Sequence, residues 1–180
     1  MFAMRLATPE DQDGIAQVVR ARSTWLEERD MPSWREAAES IASQAADPNF
    51  PVWVLVENGD RIVGCTSLFE QTPPLGWTEG EQAESAYFLA TSCTDPAYQW
   101  ARPGTLMAWW TVDKAAQEGR TWVRRGCAYE GLVRHNLAQG FHLVRTLERE
   151  GMELRLMARR AEAMPQLADM FAGMATASSR

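Results

Sequence analysis

The sequence predicts a mixed α/β fold built around one core. Two apolar runs joined by Asn58-Gly59-Asp60 read as an antiparallel hairpin, and residues 85–125 read as strand, helix and strand, a crossover between parallel strands. At 180 residues and 46% hydrophobic content, the chain can bury one substantial core and is too short for several domains.

Residues 2–7 form an apolar opening strand, and Thr8-Pro9-Glu10-Asp11 starts a helix with Thr8 as N-cap, Pro9 at the first helical position and acids in the first turn. Ile15, Val18, Val19, Arg22, Trp25 and Leu26 keep the three-four spacing of one helix face until Asp30-Met31-Pro32 breaks it, and a second helix covers 33–46. The strands of the hairpin are 52–56 and 61–69. Residues 72–83, rich in Pro, Gly and acids, read as an exposed loop, and a strand over 85–94 ends at Asp95-Pro96. A helix of about four turns runs from Gly104 to Gly119. A strand at 121–125, a short helix at 130–138 and a final hairpin of 141–147 with 152–157 complete the domain, placed at residues 1–160. Residues 161–180 read as a weak helical tail, with the one linker candidate near residue 160.

No apolar run approaches the roughly 20 residues of a membrane span, and the opening residues lack the apolar stretch of a targeting signal, so a soluble cytoplasmic protein is expected. Cys65, Cys93 and Cys127 are odd in number and lack a C-x-x-C pair, which argues against a disulfide framework or a metal site and for small core residues. Residues 1–100 carry 6 basic against 16 acidic side chains, whereas 101–160 carry 11 against 6. An acidic chain of this kind is a poor nucleic-acid binder, and its basic second half suits a small polyanion.

The stretch 85–141 carries the chemistry. After Cys93-Thr94-Asp95-Pro96 comes Gln99-Trp100-Ala101-Arg102-Pro103-Gly104-Thr105 at a helix start, where backbone N–H groups and the positive end of the helix dipole make a seat for a pyrophosphate. Gly140-Phe141 follows the last short helix. In order and spacing over residues 4–159, this resembles the GNAT superfamily of acyl-CoA-dependent N-acetyltransferases, whose phosphate loop reads Gln/Arg-x-x-Gly-x-Gly/Ala. Gln99 and Gly104 keep the outer positions; Arg102 stands where the family has its first glycine. The resemblance implies a single GNAT-like domain in the order βααββ-β-α-β-α-ββ. It also implies acetyl-CoA as acyl donor, held by Cys93, Thr94, Gln99, Arg102, Pro103, Gly104 and Thr105, with direct attack by an amine and no metal. The family's Tyr, the general acid toward the departing thiolate, is replaced by Asn136, so His135, water or unassisted thiolate departure stands in.

Glu84 is the first carboxylate candidate for a base, with Glu70 second. Trp25, Glu28, Trp34 and Trp77 are expected to line the acceptor pocket, with Glu27, Glu28 and Asp30 attracting a cationic amine; Lys114, Arg120, Arg124, Arg125 and Arg134 make up the basic side of the second half, of which one or two are expected to reach coenzyme A phosphates and the rest to lie on the surface. The leading expectation is acetyl transfer to a small-molecule amine. A non-enzymatic acyl-CoA-binding module and a protein or peptide acetyltransferase are the alternatives, and the final hairpin leaves an edge suited to a homodimer.

Overall fold

The computed structural model describes residues 1–173, so residues 174–180 of the expected tail lie outside the described chain. The strands are β1 (Phe2–Leu6), β2 (Val52–Glu57), β3 (Arg61–Phe69), β4 (Ala86–Thr94), β5 (Trp122–Cys127), β6 (His142–Arg149) and β7 (Met152–Arg160). The helices are α1 (Gln12–Glu27), α2 (Ala38–Ser43), α3 (Glu79–Ala83), α4 (Pro103–Gln117), α5 (Glu130–Ala138) and α6 (Leu167–Phe171). The strands form one mixed sheet in the order β1-β2-β3-β4-β5-β7-β6. β4 and β5 run parallel from Ala86 opposite Trp122 to Leu89 opposite Arg125; the β1–β2, β2–β3, β5–β7 and β6–β7 pairs are antiparallel. The predicted order is therefore present, with one added helix.

The chain gathers into two compact units, the first comprising Met1–Ser67, Thr91–Met107 and the described residues from Pro165. Its strand β2 alternates. Val52, Val54 and Val56 pack with Ile15, Val18 and Val19 of α1, Ala38 and Ala42 of α2, Cys65 and Cys93. Leu55 joins Phe2, Val63, Leu106 and Met107 in a second cluster. Side chains on successive strand positions point to opposite faces, so a nearly unbroken apolar run feeds both clusters. The β2–β3 turn uses Asn58 at φ 52° and Gly59 at φ 90°, the two left-handed positions that the Asn-Gly pair suits. In β3, a Cβ on Gly64 would lie 3.1 Å from Met107 Sδ and 3.4 Å from the Cys93 carbonyl oxygen, so glycine lets the start of α4 sit close on the strand. Thr8 opens the first helical turn, its N–H donating to Asp11 Oδ2 at 2.7 Å, and Arg5 grips the Asp11 carboxylate at 2.7 and 2.9 Å. These hydrogen bonds hold the Asp11 carboxyl below the usual range.

The second unit comprises Leu68–Ala90 and Ala108–Met164, with Leu89, Val112, Ala115, Val123, Phe141, Leu156 and Met157 among its buried residues. It corrects two expectations. Residues 72–83 contain α3, entered through a capping box in which Thr78 Oγ1 accepts the Glu81 N–H and Glu81 Oε1 accepts the Thr78 N–H, and Thr72 and Trp77 are buried rather than exposed. Past Arg160 the chain is not a free linker: the Ala161 N–H donates to the Thr121 carbonyl at 2.9 Å and the Met164 N–H to Asp113 Oδ1 at 2.8 Å. Among the described residues of the tail, the helix is α6.

Candidate functional site

The Cys93–Thr105 segment, expected to hold the acyl donor, lies wholly in the first unit. Upstream of it, Thr91 has φ 53°, a left-handed conformation rare for a β-branched residue inside a strand. Ser92 Oγ and Thr66 Oγ1 then hydrogen-bond at 2.8 Å. Cys93 is buried, its thiol 3.9 Å from the Val18 carbonyl oxygen and pushed up to about 11 by burial, which makes it a packing residue and a poor nucleophile. Thr94 is held from α1: Arg22 Nε donates to its carbonyl oxygen at 3.0 Å and Arg22 Nη2 to its hydroxyl at 2.7 Å.

Asp95 ends the strand as a helix cap, its Oδ1 accepting the Ala97 N–H at 3.0 Å and its Oδ2 lying 3.5 Å from Arg61. A 3₁₀ turn over Pro96–Ala101 leads to Arg102, whose φ 54° and ψ 55° are left-handed. There the chain reverses and α4 begins at Pro103, with the Thr105 and Leu106 N–H groups turned back onto the Arg102 carbonyl at 3.0 and 3.1 Å. Arg102 thus holds a conformation that glycine adopts without cost, which explains why a glycine suits this loop position. Gln99 and the Arg102 side chain are exposed, while Pro103 and Thr105 are buried. The positive end of a four-turn helix therefore stands beside an exposed guanidinium, an arrangement suited to phosphate. Beside Asp95, a polar cleft of about 380 Å³ is lined by Glu10, Gly14, Gln17, Asp60 and Arg61 among others.

The expected acceptor residues of the first unit are differently placed from the sequence picture. Trp25 is half-buried and its ring carries the guanidinium carbons of Arg29 at 3.8 Å and Arg22 at 4.9 Å from its centroid. Trp34 is exposed. Glu27 is occupied by Arg35, which donates Nε and Nη2 to its carboxylate, and by Ser33; these bonds hold its carboxyl below the usual range. Glu28 is exposed and stands 3.9 Å from Arg29.

The remaining candidates fall in the second unit. Glu84 accepts Arg124 Nη2 at 2.7 Å on one oxygen and Trp122 Nε1 at 2.9 Å on the other, so both its oxygens are engaged. Glu70 pairs with Arg120 at 3.2 Å. Trp77 is buried with the Arg124 guanidinium 5.0 Å from its ring centroid. His135 is exposed; Asn136 is buried and its Nδ2 donates to Cys127 Sγ at 3.5 Å and Met157 Sδ at 3.6 Å. Among the basic residues expected to meet phosphate, Lys114 and Arg120 are paired with Glu118 and Arg124 with Glu84, while burial pushes Arg125 down to about 10. An apolar cleft of about 240 Å³ lies among Phe69, Gln71, Pro73, Phe88 and Ala90. No group of three or more His, Cys, Asp or Glu side chains among the described residues is arranged to hold a metal, and no described helix is long and apolar enough to cross a membrane.

Sequence reasoning missed Arg22 and Thr91. Arg22 interrupts an otherwise apolar helix stripe, and a charge on the packed face of a helix is a legible signal for a buried polar contact. Nothing in the local sequence marks Thr91.

No protein-family model matches the sequence, and no curated protein matches it. Solved structures do. The ribosomal-protein-S18-alanine N-acetyltransferase of Escherichia coli is similar at 13% identity and TM-score 0.63, covering 91% of this chain and 96% of its own. An aminoglycoside 6'-acetyltransferase type Ii superposes with TM-score 0.63 at 14% identity, over 92% and 99% of the two chains. The PaiA N-acetyltransferase of Thermoplasma acidophilum, in complex with coenzyme A, gives TM-score 0.62 at 13% identity over 89% and 99%. The protein has the fold of the GNAT acetyltransferases.

Proposed function

We propose that the protein is an acyl-CoA-dependent N-acyltransferase that moves an acetyl group from acetyl-CoA to the amine of a small molecule. The observation that carries this reading is the turn from Asp95 through left-handed Arg102 into α4, where the N-terminus of a four-turn helix stands beside an exposed guanidinium as a seat for phosphate, in a chain whose fold is similar to that of an acetyltransferase solved in complex with coenzyme A. Gln99, Pro103, Gly104 and Thr105 shape that seat, Arg102 adds a charge to it, and Cys93 and Thr94 offer strand backbone to the pantetheine arm. In the reaction a neutral amine nitrogen bonds to the thioester carbon, the carbon–sulfur bond breaks, and the thiolate departs and takes up a proton as the amine loses one. Of the two candidate proton carriers, Glu84 has both oxygens hydrogen-bonded and His135 is exposed, so water carries the proton unless pH profiles of Glu84→Gln or His135→Gln differ from wild type.

One observation favours a second reading, acyl-CoA binding without turnover: the residue in the family's Tyr position, Asn136, is buried against two sulfur atoms. A thiol-release assay with acetyl-CoA, a panel of small amines and several basic peptides separates the readings. Turnover of a small amine, rising with pH as it deprotonates, is expected. Turnover of peptides alone supports a protein acceptor, and coenzyme A binding without turnover supports the module.

A further inference from the structure

The last residues of β4 lack a partner strand on one edge. The register between β4 and β5 ends at Leu89, opposite Arg125. Toward β3 the pairing continues to the end of the strand, where Ser92 Oγ meets Thr66 Oγ1 and the Asp95 N–H donates to the Val63 carbonyl at 2.9 Å. A trans peptide unit points its N–H and its C=O in opposite directions, so the Thr94 carbonyl, which shares a peptide unit with the Asp95 N–H, faces away from β3.

On that edge a charged side chain does what a neighbouring strand would do. From α1, Arg22 donates Nε to the Thr94 carbonyl at 3.0 Å and Nη2 to the Thr94 hydroxyl at 2.7 Å. Its guanidinium carbon lies 4.9 Å from the centroid of the Trp25 ring, one turn further along the helix. Among the described residues no carboxylate forms an ion pair with it, and Asp95, whose field reaches it, is engaged by the Ala97 N–H and Arg61. Burial lowers its pKa, so holding an arginine here has a cost. The guanidinium fork fixes carbonyl and hydroxyl together, and with them the rotamer of Thr94. A hydroxyl that accepts from a guanidinium keeps its own O–H to donate. Thr94 is half-buried, and no acceptor among the described residues takes that O–H.

We propose that Arg22 is a positioning residue for the acyl donor: it sets the Thr94 hydroxyl to donate to an amide carbonyl of the pantetheine arm at the free edge of β4. The assignment rests on the acyltransferase reading and adds a side-chain contact to the strand backbone offered there. With its carbonyl engaged by Arg22, Thr94 serves the arm through its hydroxyl.

The test compares two ligands by calorimetry, coenzyme A and adenosine 3′,5′-bisphosphate, which is the nucleotide end without the arm. In Arg22→Gln the Kd for coenzyme A should rise about 10-fold, and in Thr94→Val by a similar factor, while the Kd for the bisphosphate stays within about twofold of wild type. Arg22→Lys should recover part of the loss, because an ammonium donates to the same oxygens without the fork's fixed geometry. The double variant Arg22→Gln/Thr94→Val should bind coenzyme A about as weakly as either single variant, since the arginine acts through the threonine. An arginine with a merely structural role gives no such pattern. Equal losses on both ligands, no loss on coenzyme A, or additive losses in the double variant overturns the assignment. If wild type binds neither ligand, the acyltransferase reading falls with it; if wild type binds coenzyme A and the pattern is absent, only the role of Arg22 falls.

Discussion

Arg124 in the second unit and Arg22 in the first are both arginines drawn out of solvent, and their surroundings differ in kind. Arg124 is almost wholly buried, with Glu84, the Thr72 hydroxyl and the Glu81 carbonyl around it and the Trp77 ring beneath. Among the described residues, Arg22 donates to the neutral oxygens of Thr94 and lies 4.9 Å from the centroid of the Trp25 ring, within the field of Asp95 but with no ion pair to it. A buried charge with its own carboxylate is part of the architecture, because removing either partner strands the other. Arg22, hydrogen-bonded to neutral oxygens, strands no carboxylate when it is removed. The same comparison relocates Glu84 and Trp77: the sequence offered them as a base and a pocket wall, and the fold uses both to enclose Arg124.

The largest expected effect tests this contrast. Glu84→Ala should lower unfolding free energy by about 3 kcal/mol, because it leaves the Arg124 guanidinium buried without its carboxylate. Arg22→Met, which loses two hydrogen bonds to Thr94 but strands no carboxylate, should lower it by about half as much. Urea denaturation of both variants decides the point, and equal losses would make Arg22 as structural as Arg124.

A smaller effect belongs to the phosphate turn. Arg102→Gly should stabilise the fold by about 1 kcal/mol by removing a left-handed side-chain residue, and should weaken coenzyme A binding about threefold by removing a charge. A gain in both stability and affinity would show that the Arg102 charge has no part in the seat.

What was legible follows from where the determining contacts lie. The β2–β3 hairpin and α5 are written in local signals, the Asn58-Gly59 pair and the helical spacing over 130–138, and both stand where those signals put them. The Thr78-x-x-Glu81 capping box was also present in the sequence, masked by the surrounding prolines, glycines and acids. Burial of Thr72 and Trp77 was not legible, since its cause, Arg124, lies about fifty residues away in the chain. The phosphate turn was readable as a motif, but the left-handed backbone of Arg102 and Thr91 was not, because neither residue type calls for it.

The smallest effect is a pH dependence in the second unit. The Arg145 guanidinium beside Glu81, with Thr78 at the helix cap, holds the Glu81 carboxyl down to about 2 from its ordinary 4.5. A carboxyl with a lowered folded pKa stabilises fully above the unfolded value. That contribution is lost as pH falls from about 4.5 toward 2. Thermal melts of wild type and Glu81→Gln across this window should converge as the pH drops, and curves that stay parallel would contradict the assignment.

The most direct measurement on the central claim is calorimetric titration of coenzyme A into wild type and Gly104→Val. The phosphate turn predicts saturable binding to wild type and at least about tenfold weaker binding to the variant, whose added side chain keeps backbone from phosphate. No saturable heat up to millimolar coenzyme A, or equal affinity in both proteins, would contradict it.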